Sequence, residues 1–216
     1  MIAPFSRIKG CRIQAYEGMA GQAVDVYFKE RDWAVCYLVV RLRSWLMPRS
    51  VLLPAYFAGS VNLANRTISA ALATPRLRRL ASAEFEKSAS KQSTSQHSDP
   101  LTTEGFGLRS SDELLNGYAF RGRQGRLAFI EDLLIDDSLW SIQYIVLRTS
   151  ALASGRLVLL PSTHVERISV QKGELVASLP RFLIEEAPEY DPGMPIRPDY
   201  ERRLRTHYGD ATTAAA

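Results

Sequence analysis

Two aspartates, Asp25 and Asp132, lie inside otherwise apolar runs, and a lone carboxylate in such a run calls for a reason. It either moves protons or is held in place by hydrogen bonds that offset its desolvation. The two sit in equivalent settings on separate segments. They therefore do not form the close pair that glycoside hydrolysis uses, in which the carboxyls lie within about 10 Å. A hydrogen-bonded structural role is expected for both. Arg41, Arg148, Arg49 and Arg156 carry the planar fork that clamps a phosphate or carboxylate, and the same fork also serves strand aspartates and loop carbonyls.

Cys11 and Cys36 have neither CxxC spacing nor a histidine nearby, so no disulfide framework and no zinc site is expected. His97, His164 and His207 fall in a polar tract, after a strand and near the end of the chain, where solvent-facing side chains are expected. The chain holds no GxSxG, no P-loop, no HExxH and no GxGxxG opening a helix. Accordingly no catalytic residue, cofactor or metal is assigned, and the expectation is a protein that is not an enzyme.

The elements that would position these residues repeat. Sliding the 216-residue chain against itself gives an ungapped match at an offset of 107. Gly10 falls on Gly117, Gly18 on Gly125, Asp25 on Asp132, Trp33 on Trp140, Tyr37 on Tyr144, Val39 on Val146, Arg41 on Arg148 and Arg49 on Arg156. Val51-Leu52-Leu53-Pro54 then falls on Val158-Leu159-Leu160-Pro161. Such a period exceeds that of solenoid repeats, so each copy is expected to be a folding unit of its own or half of a fused pseudo-dimer.

Each copy reads as strands. Turn glycines and charged turns separate runs rich in β-branched and aromatic residues, which predict strands over 12–15, 21–28, 33–40, 49–53, 59–63 and 67–72. Their counterparts are 118–120, 128–135, 140–147, 156–160, 165–170 and 174–179. The strand opening on Trp33 or Trp140 is the most apolar, which predicts that both indoles pack in the core. Helices are expected over 76–86, with Thr74 as N-cap and Pro75 in the first turn, over 111–117, and over 199–208 with an end at Gly209. The stretch 87–104 is almost wholly Ser, Thr, Gln, Lys and His, the composition of a flexible linker.

The pattern Gly-x7-Gly-x6-Asp-x7-Trp-x3-Tyr-x-Val, followed by Arg-x-Val-Leu-Leu-Pro, resembles the PRC-barrel family over residues 8–80 and 112–190. That domain is named for the cytoplasmic part of the photosynthetic reaction centre H subunit, and it also occurs in a ribosome-maturation factor. The resemblance implies a mainly β protein of two tandem small barrels with short flanking helices. It divides the chain into a first barrel at 1–86, a linker at 87–107, a second barrel at 108–190 and a proline-rich tail with a short helix at 191–216. Unlike the H subunit, the chain shows no apolar run of the roughly 20 residues that a membrane helix needs, so a cytoplasmic protein is expected.

The net charge of +4 hides an asymmetry. Residues 1–90 carry 13 Lys and Arg against 6 Asp and Glu, whereas residues 91–216 carry 14 against 17. A basic first half suits an acidic protein, an anionic lipid surface or RNA, or the other half of the chain. Positions shared by the copies maintain the fold, so a partner is expected where the copies diverge. Trp45, Leu46 and Met47 in an apolar loop, with Arg43, Arg76, Arg78 and Arg79, form the expected contact surface. The expected function is a protein-interaction or scaffold module, with a homo-oligomer among its forms. Alternatives are a ribosome- or RNA-associated maturation factor, and a relative of the H subunit without its membrane helix.

Overall fold

The computed structural model describes residues 1–43, 49–80, 107–122, 125–149, 155–177 and 179–213. The linker expected at 87–107 falls, apart from Gly107, outside the described residues. Two compact units emerge from the packing: one comprises Met1, residues 3–113 and 135–142, and the other Ile2, residues 114–134 and 143–216.

The protein is mainly β, and its duplication is followed almost residue for residue. The first copy contains β2 (Arg12–Ala15), β3 (Gly18–Lys29), β4 (Val35–Leu42), β5 (Ser50–Pro54), β6 (Ala58–Asn62), β7 (Thr67–Ala70) and the short helix α2 (Thr74–Arg78), preceded by β1 (Ile2–Pro4) and α1 (Phe5–Ile8). The second contains β8 (Leu108–Ser110), α3 (Ser111–Gly117), β9 (Ala119–Gly122), β10 (Gly125–Asp136), β11 (Ser141–Arg148), β12 (Leu157–Pro161), β13 (Val165–Ser169), β14 (Glu174–Ala177) and α4 (Arg181–Glu185), followed by α5 (Pro198–Thr213). Apart from β4 and β11, whose offset is 106 at both ends, corresponding strands from β2 and β9 onward keep the 107-residue offset at both ends.

In the first copy the strands pair in the order β5-β4-β3-β2-β7-β6, with β2 and β7 parallel and the other neighbours on this path antiparallel. The second copy repeats this order as β12-β11-β10-β9-β14-β13. Each path is open: β5 and β6 end the first, and β12 and β13 the second. The two closed barrels that the resemblance implies are therefore not what the strand pairing forms. Fully buried Ile13, Val26, Leu38, Val40, Val51, Leu53 and Ile68 make the interior of the first sheet. Each such side chain contributes about 1.5 to 3 kcal/mol by leaving water.

The tryptophans are buried at matching sites, each about 6% exposed, but neither lies in the strand it was expected to open. Trp33 and Trp140 close the preceding turns with φ of 59° and 46°. This left-handed backbone is unusual for a bulky residue and persists only where the surroundings fix it. The Trp33 amide donates to the Lys29 carbonyl at 2.9 Å, and its indole stacks on Phe28 with centroids 5.2 Å apart. The Trp140 indole Nε1 donates to the Ala58 carbonyl at 3.0 Å. Within the first unit the two turns also bond each other: Val35 donates to the Trp140 carbonyl and Ile142 to the Trp33 carbonyl.

Asp25 explains why residues of the second copy complete the first unit. It follows a β-bulge between Ala23 and Asp25, a distortion that re-aims side chains. Its buried carboxylate accepts from Ser110 Oγ and Ser111 Oγ, both at 2.5 Å, from the Asp112 amide at 3.1 Å and from its neighbour Val26 at 2.8 Å. An acceptor at the first turn of α3 does the work of an N-cap residue, here supplied from a distant strand. Directly before that helix, β8 pairs with β3, Ser110 lying opposite Tyr27 and Leu108 opposite Lys29. Neither β8 nor β1 was expected from the sequence.

The helices correct the expectations in three places. Ala73, not Thr74, is the N-cap of α2, and the Thr74 amide is satisfied by the Glu17 carboxylate at 2.7 Å. Of the helix expected over 76–86, α2 covers residues as far as Arg78, and 81–86 lie outside the described residues. The C-terminal helix runs past Gly209 to Thr213, because Gly209 lacks the left-handed φ that ends helices. In the second unit that helix buries Leu204 and Tyr208, and the Tyr208 hydroxyl donates to the Leu159 carbonyl at 3.0 Å.

Replacing Asp25 by Ala strands several buried donors at once and is expected to cost about 3 kcal/mol. Urea denaturation measures it: the midpoint falls, whereas Arg12→Ala on the exposed side of β2 leaves it nearly unchanged.

Candidate functional site

The arginines separate into structural and exposed groups. Arg49 donates from its guanidinium to the carbonyls of Arg78 at 3.5 Å and Leu80 at 3.3 Å, where α2 ends. Arg156 repeats this on the carbonyls of Glu185 at 3.3 Å and Ala187 at 3.0 Å, after α4. Free carbonyls at a helix end attract cations, so both arginines pin a short helix to its sheet. Arg148 pairs with Glu131 at 2.8 Å, not with the neighbouring Asp132, and Arg41 is exposed.

Of the residues expected to contact a partner, Trp45, Leu46 and Met47 lie outside the described residues. Arg43, Arg76, Arg78 and Arg79 are all exposed. The chain brings Arg43 close to Arg49, since Leu42 donates to the Arg49 carbonyl, and the Arg49 clamp brings Arg78 to the same edge. Arg76 lies over the Phe57 ring, 5.4 Å from its centroid, a cation–π contact that fixes its direction. At the same places on α4 the second copy has Leu183, Glu185 and Glu186.

Sequence reasoning missed a cavity of about 1210 Å3 within the first unit. It is walled by the start of β4, the turn after β5, β6 and the segment 137–140. Since those segments are distant in sequence, no local pattern marks it. Val35, Ala55, Ala58, Val61 and Trp140 supply buried apolar wall, and Tyr56 and Leu139 stand at its edge, 79% and 72% exposed. Large apolar side chains so exposed beside a concavity are a feature of binding surfaces.

The cavity's polar groups are few. Buried Asp137 is held by the Val61 amide at 2.8 Å and by the Met1 amino group. Lys29 and Cys36 also line it. Burial pushes the Cys36 thiol above its usual range, with the Lys29 charge opposing and the Asp32 charge reinforcing the shift. Buried Cys11 points its thiol at the Arg7 carbonyl.

His164 and His207 are half-buried rather than the solvent-facing residues expected. His164 stacks on Tyr208 with centroids 5.3 Å apart, and its burial lowers its pKa. His207 Nε2 lies 2.6 Å from the Leu183 carbonyl, and His97 falls outside the described residues. Among the described residues no group of three His, Cys, Asp or Glu is placed to hold a metal ion, and no helix is long and apolar enough to cross a membrane. No protein-family model matches the chain, and no curated protein matches it.

The thiols give a direct check on this geometry. Iodoacetamide is expected to label Cys36 before Cys11 in the folded protein. Because the thiolate reacts and burial disfavours it, the Cys36 rate should still be rising above pH 9. A rate that levels off by about pH 8 contradicts the desolvated environment described here.

Proposed function

We propose that this protein is a non-enzymatic interaction module built from two PRC-barrel-like copies, which docks an acidic partner protein on the α2 face of its first copy. One observation carries the reading. Both copies keep the same clamp, Arg49 or Arg156 on the carbonyls that end a short helix, while the residues there change from exposed Arg76, Arg78 and Arg79 to buried Leu183, half-buried Glu185 and exposed Glu186. A retained scaffold with an altered surface is the pattern that results when one copy keeps or gains a partner that the other does not bind. The duplicated, mainly β architecture and the Gly, Asp, Trp and Tyr spacing support the PRC-barrel resemblance.

Exposed arginines orient and speed association with an acidic surface, and an aromatic neighbour such as Phe57 supplies apolar contact. The same cations suit RNA phosphates, which keeps a ribosome- or RNA-associated factor as the second reading. Localisation to the cytoplasm follows from either reading and is part of the proposal.

Arg76→Glu, Arg78→Glu and Arg79→Glu together separate the two. These side chains are exposed, so the melting temperature is expected to change little. Salt-sensitive capture of a partner protein should be lost in the triple variant and should survive ribonuclease treatment of the wild-type sample. Capture that disappears with ribonuclease assigns the surface to RNA. Undiminished capture by the triple variant overturns the α2 face as the docking site.

A further inference from the structure

The cavity of the first unit differs from the corresponding region of the second copy in a way that makes room. Gly59 and Ser60 on β6 stand where β13 carries Glu166 and Arg167, and Leu139 at the rim stands where the first copy has Asp32. A Cβ on Gly59 would meet Ser69 Oγ at 2.3 Å, so a larger residue there would have to displace that side chain. Gly59 and Ser60 line an apolar concavity of about 1210 Å3, larger than many small-molecule sites.

Its charges are equally specific. Asp137 is buried with both carboxylate oxygens engaged, by the Val61 amide and the Met1 amino group. Arg109 is spent on Glu30 at 3.1 Å, beside the cavity's Lys29. Among the described residues Lys29 forms no salt bridge, and it lines the cavity near enough to Cys36 for its charge to act on the thiol. The charge of a half-buried lysine at the side of an apolar concavity favours an anion there more than it would in open water.

We infer that this cavity is a binding site for an amphipathic small molecule with an apolar chain or ring body and one acidic head, the body lying against Val35, Ala58, Val61 and Trp140 and the head pairing with Lys29. The cavity adjoins the α2 face, since Tyr56 at its edge packs on the Phe57 ring beneath Arg76, but the inference does not rest on the docking proposed there. Its apolar wall supplies affinity in proportion to the surface removed from water, and Lys29 chooses between heads of opposite charge.

The test uses two probes with one chain and opposite heads, dodecanoate and dodecyltrimethylammonium, both kept below micelle formation and titrated calorimetrically into the full-length protein. Dodecanoate is expected to bind about tenfold more tightly, a preference that Lys29→Gln removes. Ser60→Trp, which narrows the mouth from β6, is expected to weaken both probes. Bound dodecanoate should also slow alkylation of Cys36, which lines the same wall. Equal affinity for the two heads in the wild type overturns the role of Lys29. Failure of dodecanoate to bind at millimolar concentration, or binding unchanged in both variants, overturns the site.

Discussion

The first unit depends on the carboxylate of Asp25. A bulge turns it inward from β3, and it gathers two serine hydroxyls and an amide from Ser110, Ser111 and Asp112. The cost of burying that charge is offset by its four donors, and the donors in turn are fixed by it. Because α3 begins at Ser111, one side chain both starts a helix and seats β8 on β3. The turn tryptophans add a second fastening, with Trp140 bonded to Ala58 and its carbonyl taken by Val35.

Duplication supplies an internal control on every such contact. Interactions found in both copies, such as the Arg49 and Arg156 clamps and the left-handed tryptophans, belong to the scaffold. Differences stand out against them. The charge on α2 against α4 and the small residues of β6 against β13 are two independent changes on one scaffold. The first alters the surface at a helix end, and the second falls in the wall of a cavity. A change that leaves the backbone offset intact is free to serve binding, since packing constrains it less.

Strand positions were legible because turn glycines, prolines and β-branched runs are local signals, and the 107-residue offset reinforced each one. The structural role of Asp25 was legible as a type, a carboxylate in an apolar run, but its partners were not. They lie some 85 residues away, and nothing in a three-residue strand such as β8 announces which edge it will join. Trp33 was read as a strand residue because its neighbours are apolar; hydrogen bonds to Lys29 and Ile142 instead hold it in a turn. The cavity was invisible for the same reason as β8, since it is assembled from separated segments. His164 and His207 looked polar and terminal, yet Tyr208 and the Leu183 carbonyl, both from distant positions, draw them inward.

If the first unit is completed by β8, by the start of α3 and by the segment 137–140, then the first copy cut from them should not fold. Circular dichroism and urea unfolding of a fragment spanning residues 1–106, set beside one spanning residues 1–142, measure this directly. The shorter fragment is expected to lack a cooperative transition, with Asp25 and Val35 deprived of their partners, and the longer one to regain one. A cooperative transition in the shorter fragment, with a midpoint close to that of the full chain, would contradict the account and show the first copy to be a self-sufficient domain.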